Sequence, residues 1–221
     1  PIESLTFPSG LIKSNPNYHN DFLKLNNINI PNSNRYFKYE NGALIGKSDV
    51  NSDVYDKLLF VRRDIKAFTI PSYIKTIANS AFSNSSIEKI FIPSNVTIIE
   101  KYSFPQCKNL KTIEIDENSK YISFNYAAFD ESAIENISLP SGIIEFNNGC
   151  FCGVKKLIDI QIPKTNPYYI NKNGFLLGKT DIKGDNYDIL ICAQKNIEAK
   201  RIPSNIKIIS LFSFSECKNI K

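Results

Sequence analysis

Four prolines give the chain its frame. Placed beneath one another, Pro71, Pro93, Pro140 and Pro163 bring three segments into register: FTIPSYIKTIANSAFSNSSIEKI, FIPSNVTIIEKYSFPQCKNLKTI and SLPSGIIEFNNGCFCGVKKLIDI. A fourth, from Ile115 to Ile137, keeps the pattern with Asp116 in the proline's place. The shared form is I-P-S-x-[IV]-x-x-I-x-x-x-x-F-x-x-C/S-x-x-[LI]-x-x-I, recurring every 22 to 24 residues. A unit this small cannot bury its own apolar edges, so the units must stack into a solenoid with continuous interior columns.

A longer repeat overlies the short one. Shifting the chain by 132 residues aligns 1–71 with 133–203 without a gap, and 28 of the 71 aligned residues are identical. We read residues 1–221 as one repeat domain, about one and two-thirds copies of a 132-residue block. Both ends then fall inside a repeat, as expected of a fragment of a longer array.

Each unit has a physical reading. Leu110, Ile113 and Ile115 alternate as a half-buried strand that the next unit's proline position closes. Val96, Ile98 and Ile99 form a second short apolar alternation. Phe82, Phe104, Phe129, Phe151 and Phe214 recur at one place and are expected to stack as an interior column. Three residues later comes a small-residue column of Ser85, Cys107, Ser132, Val154 and Cys217. Eight strand passes are expected to form one continuous parallel sheet.

The stretch IPSNVTIIEKYSFPQCKNLKTIEI, residues 92–115, resembles the BspA-like leucine-rich repeats of surface proteins from mucosal bacteria and parasitic protists. That unit reads L-x-x-I-x-I-P-x-x-V-x-x-I-g-x-x-A-F-x-x-C, and the resemblance covers essentially the whole chain. It implies an α/β leucine-rich repeat solenoid, rich in β-structure, with a parallel strand ladder, short second strands, short helical turns and two inserted β-hairpins. It also implies a non-enzymatic recognition or adhesion protein at the cell surface or outside the cell. The partner would be a protein or glycan of a host cell or extracellular matrix. The alternative is a cytoplasmic protein–protein interaction scaffold. Leucine-rich repeats are generic scaffolds, so the fold alone names no ligand.

Two stretches imitate a phosphate-binding loop: NGALIGKSD at 41–49 and NGFLLGKTD at 173–181. The P-loop needs G-x-x-x-x-G-K-[ST] between a strand and a helix. Here Gly42 and Gly46 are four apart rather than five, Asn41 stands where the first glycine belongs, and the second copy departs identically. A β-rich run follows instead of an amphipathic helix, so the loop lacks the helix N-terminus that would hold phosphate. We expect β-hairpins over about 36–62 and 168–194 that protrude from the coil, with Lys47 and Lys179 in solvent and no nucleotide bound. The BspA-like repeats carry a similar insertion, N-G-x-L-x-x-K-d.

Other chemistry finds little footing. Asp49, Asp53 and Asp56, with their counterparts Asp181, Asp185 and Asp188, could hold calcium in a turn, but they lack EF-hand spacing. His19 is the one histidine and aligns with Phe151, a core position, so no triad is built on it. The five cysteines have no zinc spacing and suggest no disulfide framework, and Cys150 and Cys152 should share the face opposite Phe151. No catalytic residue, cofactor or metal is expected. Net charge is +5 with acidic residues interspersed, and no Lys/Arg run exceeds two residues. That leaves no basic stripe for nucleic acid. No apolar stretch is long enough to cross a membrane, so no membrane contact is expected. The sequons at Asn84, Asn95 and Asn136 are as many as an Asn- and Ser-rich chain supplies by chance.

The surface that remains is the outward face of the strands. One column should read Ser4, Asn27, Ala67, Lys89, Thr112, Asn136, Asp159 and Ala199, and the other Thr6, Asn29, Thr69, Phe91, Glu114, Ser138, Gln161 and Arg201. Its centre, Lys89, Phe91, Thr112, Glu114, Asn136 and Ser138, is the candidate binding site, with Phe91 as its one bulky apolar group.

Overall fold

The computed structural model describes residues 2–14, 22–198 and 201–218. Along the chain, β1 (Ser4–Thr6) and β2 (Asn27–Asn29) precede a meander of β3 (Lys38–Glu40), β4 (Ala43–Gly46) and β5 (Lys57–Val61). Four coils of alternating strands follow: β6 (Thr76–Ile77), β7 (Lys89–Ile92), β8 (Ile98–Ile99), β9 (Thr112–Ile115), β10 (Tyr121–Phe124), β11 (Asn136–Ser138), β12 (Ile143–Phe146) and β13 (Asp159–Gln161). A second meander of β14 (Tyr169–Lys172), β15 (Phe175–Gly178) and β16 (Ile189–Ala193) leads to β17 (Ile208–Ile209). The result is a β-solenoid with two parallel ladders.

The first ladder is interrupted rather than continuous. β7, β9, β11 and β13 form one parallel sheet, β1 and β2 a separate pair, and Ala67–Thr69 carries no strand between them. Its burial still alternates as a strand's would, with Ala67 and Thr69 exposed and Ile70 buried. The reason lies on the opposite side of the coil. A regular coil contributes one strand to the second ladder, whereas the coil with the insertion contributes β3, β4 and β5, giving the order β12-β10-β8-β6-β5-β4-β3. Two extra rungs on one side leave the other side short, and the first ladder parts at that coil. Ala199 lies outside the described residues, and Arg201 is not in a strand.

The first insertion therefore extends the second ladder instead of protruding from it, and the second forms a four-stranded sheet with β17, β14-β15-β16-β17, that is not paired with β12. β5 pairs in parallel with β6, and β16 with β17. The Asn-Gly pairs form the tight turns of β3–β4 and β14–β15, with φ of 50° and 76° at Asn41 and Gly42, and 53° and 80° at Asn173 and Gly174. Two successive positive φ values are the requirement of a two-residue I′ hairpin turn, which is what the glycines supply. The two meanders share registers 132 residues apart, down to the irregularity after Leu44 and after Leu176. Lys47 and Lys179 are half-buried, with ammoniums 5.0 Å from the Tyr55 ring and 4.7 Å from the Tyr187 ring.

The expected short helical turns are absent among the described residues. The segment around each core Phe instead holds two left-handed residues, two before and two after the ring. These are Ser80 and Asn84, Tyr102 and Gln106, Ala127 and Glu131, Gly149 and Gly153, and Phe212 and Glu216. Only one pair is glycine, so most of these turns bear the cost of a side chain at positive φ. The reversals turn backbone groups toward the neighbouring coil: Phe82 N–H donates to Ser103 O at 2.9 Å, and Phe104 N–H to Ala128 O at 2.8 Å. Coil-to-coil bonds thus alternate with turn bonds inside the coil, such as Ser83 N–H to Ser80 O and Ser85 N–H to Phe82 O, in place of a helix's continuous ladder.

Phe82, Phe104, Phe129 and Phe151 stack in the interior, with successive centroids at 4.6, 5.5 and 5.9 Å. Phe214 does not join them. It packs edge-on against Phe175 at 6.5 Å in a separate cluster, because the second meander intervenes. Cys150 enters the core while Cys152 is half-buried, contrary to a shared outer face, since Gly149 and Gly153 break strand-like alternation there.

Candidate recognition face

On the first ladder, buried Ile90, Ile113, Ile137 and Ile160 align across β7, β9, β11 and β13 and leave the flanking side chains outward. The registers set Lys89, Thr112, Asn136 and Asp159 in one row and Phe91, Glu114, Ser138 and Gln161 in the next. All six expected site residues therefore share one four-stranded face. Phe91 is 49% exposed. Lys89 Nζ reaches Glu114 Oε1 diagonally at 2.6 Å, an exposed pair worth less than about 1 kcal/mol. Farther along, Gln161 accepts from Ser138 Oγ at 3.1 Å and donates to Asp159 at 2.9 Å. The face is polar and regular, with one cationic and two anionic side chains and one apolar anchor. It offers contacts to a partner and holds no nucleophile–base pair.

The acidic trios divide into separate tasks. Asp49 and Asp181 fix their turns by accepting the N–H of Asn51 and Lys183. Asp56 and Asp188 are buried and accept the N–H of Ser48 and Thr180 at 2.9 and 2.8 Å. The Thr180 N–H, the Thr180 hydroxyl and then Lys207 hold the Asp188 carboxyl down at about 2. Asp53 and Asp185 are exposed. Among the described residues, no three His, Cys, Asp or Glu side chains gather as a metal site. His19 lies outside them.

All five cysteines are free. Burial pushes the Cys107 thiol up to about 12 and Cys192 to about 11, which removes their thiolate reactivity.

Two features escaped the sequence reading. Arg63 is buried and donates to the carbonyls of Val61, Ser80 and Ala81, and its 132-shifted counterpart Lys195 likewise donates to Ser215 O at 2.6 Å. A basic residue in both blocks was the available signal. The second feature is a tyrosine- and asparagine-lined groove beside β2, whose residues carry no motif.

The chain matches the BspA type leucine rich repeat region in six copies, over residues 56–127, 75–182 and 190–221. No curated protein matches it. Among solved structures it is similar to the pneumococcal vaccine antigen PcpA, with 17% identity, a TM-score of 0.45 and coverage of 85% of this chain. The aligned region spans 64% of that antigen. A leucine rich cell surface protein of Faecalibacterium prausnitzii is 15% identical, with a TM-score of 0.36, over 83% of this chain and 69% of that one. A leucine-rich repeat protein of Eubacterium ventriosum is 17% identical, with a TM-score of 0.42, over 84% and 58%.

Proposed function

The chain belongs to the BspA-type leucine-rich repeat family, and from that premise we propose that it is a non-enzymatic recognition or adhesion protein of the cell surface or extracellular space. It holds a protein or glycan partner of a host cell or matrix on the first-ladder face. The observation that carries this reading is the register that sets Lys89, Phe91, Thr112, Glu114, Asn136 and Ser138 on one rigid sheet. A preformed face costs little ordering on binding, and many such coils raise a modest affinity by avidity. The test is the Phe91→Ala, Glu114→Ala double variant, in which no core side chain is removed. Attachment to host cells or immobilised matrix protein should fall at least about tenfold, for a lost anchor of about 1.4 kcal/mol or more, with unchanged circular dichroism. Full adhesion by a folded double variant would remove the site from this face.

The five free thiols favour the second reading, an intracellular interaction scaffold, because secreted proteins meet an oxidising environment. Antibody staining of unpermeabilised cells separates the two.

A further inference from the structure

Where the first ladder parts, a groove of about 560 Å³ opens between β2 and the first meander. Asn27, Asn29 and Asn32 line it together with Lys38, Tyr39 and Tyr55. Two observations separate it from an incidental crevice.

First, its walls are fixed. The Tyr39 hydroxyl donates to Asn26 O at 3.2 Å and the Tyr55 hydroxyl to Arg35 O at 2.9 Å. Buried Asn34 donates to Pro8 O and Leu11 O and accepts from the N–H groups of Tyr36 and Phe37, which locks the loop after β2. Lys38 Nζ is pinned by the Tyr73 hydroxyl at 2.9 Å and by Glu40 at 3.1 Å, so its charge is compensated within the protein. In contrast, the exposed amides of Asn27, Asn29 and Asn32 have no side-chain partner among the described residues.

Second, the chain contains its own control. The 132-shifted counterparts of Asn27, Asn29, Asn32, Lys38 and Tyr39 are Asp159, Gln161, Lys164, Ile170 and Asn171. There Asp159, Gln161 and Asn171 are used internally, Gln161 bonding both Ser138 and Asp159 and Asn171 Nδ2 donating to Ile160 O at 2.9 Å, and Lys164 carries no amide. The residues shared by both blocks, Asn34 with Asn166 and Tyr55 with Tyr187, include the loop lock. Asn166 repeats it, donating to Pro140 O and accepting from Tyr168 and Tyr169 N–H. The scaffold is thus held in common, and the free amides belong to the first block alone.

Unpaired amides, each offering donor and acceptor at once, match vicinal hydroxyl groups. The Tyr39 ring, its hydroxyl already engaged, offers carbon surface to the apolar side of a pyranose, while the Tyr55 ring is already faced by the Lys38 and Lys47 ammoniums. An internally neutralised lysine leaves no call for a charged ligand. We propose that this groove binds a short neutral oligosaccharide, independently of the Phe91 face. A peptide would also use amides, but the apolar residues that complete the lining are buried, as Ile28 and Phe37 are, or half-buried, as Ile30 and Pro31 are, which leaves a peptide side chain little apolar surface to grip.

The experiment uses the whole chain and reads binding by isothermal titration calorimetry, since only two of its 11 tyrosines, Tyr39 and Tyr55, line the groove. Chitotriose, laminaritriose, cellotriose and a mucin-type core trisaccharide are titrated, alongside a random extended-peptide pool. At least one trisaccharide should bind, and Asn27→Ala with Asn29→Ala should weaken it at least tenfold at unchanged melting temperature. The Asp159→Ala, Gln161→Ala pair in the second block should leave that binding intact. Binding by none of the four sugars, affinity that survives the Asn27/Asn29 change, or selective binding of peptide would each overturn the assignment.

Discussion

Phe82 and Phe104 lie one coil apart with ring centroids 4.6 Å from each other and planes within 7°. That stack records the solenoid's spacing, since the neighbouring coils carry backbone rungs that strand geometry sets about 4.8 Å apart. Both rings are fully buried. Phe104→Ala should therefore leave a cavity between two coils and cost about 3–5 kcal/mol. In a stacked array the loss is felt by neighbours first, so hydrogen exchange should accelerate in residues 89–130 before the rest. Uniform acceleration over the whole chain would contradict a nearest-neighbour architecture.

Asp188 gives the second meander an acid limit. Its folded-state value is depressed to about 2, from an ordinary value near 4. Its contribution is fully present above pH 4 and is lost as pH falls through 2, because the unfolded state takes up the proton first. Melting followed from pH 5 to 2 should show a decline across that window that Asp188→Asn flattens. Identical profiles for the two proteins would remove Asp188 from the account.

The left-handed turns predict an asymmetry between alanine substitutions. A Cβ at Gly153, where φ is 74°, would sit 1.9 Å from Asp130 Oδ1. Gly153→Ala should destabilise by about 1–3 kcal/mol. Glu131→Ala, at the equivalent position with φ of 53°, already has a Cβ and should change stability by less than about 0.5 kcal/mol. Urea titration of both variants checks the difference.

Lys47 sits over tyrosine rings rather than beside free backbone N–H groups at a helix start. Millimolar ATP with Mg²⁺ should leave the melting temperature unchanged in the native protein and in Lys47→Ala alike. A shift that the substitution abolishes would restore the phosphate-loop reading.

The coil period was legible because burial demands it: each Ile of the ladder and each Phe of the column must return to the same depth. The outward rows were legible for the same reason, strand alternation fixing Lys89 and Phe91 outside once Ile90 is inside. What resisted reading was backbone state. Nothing about Tyr102 or Gln106 as residue types announces positive φ, so turns that hold it looked like helical ones. The ladder's break was equally hidden, since Ala67–Thr69 keeps a strand's burial pattern while lacking its hydrogen bonds. Phe214 was misplaced because a matching motif position guarantees the same place in a coil and does not guarantee the same neighbour. The groove amides depend on what lies opposite them, which local pattern does not encode.

The unequal rung count at the insertion has a mechanical consequence. Between β7 and β12 both sides of the coil are welded by backbone bonds, so that stretch behaves as a stiff bar. At Ala67–Thr69 one weld is missing, and at the second meander neither β12 nor β13 pairs with a following strand among the described residues, which makes the meander coils the compliant points under bending. Any array built by repeating the 132-residue block would be a chain of rigid plates with a joint in every period. A partner lying on one plate would meet a surface that keeps its spacing under load, while successive plates tilt to follow a curved target.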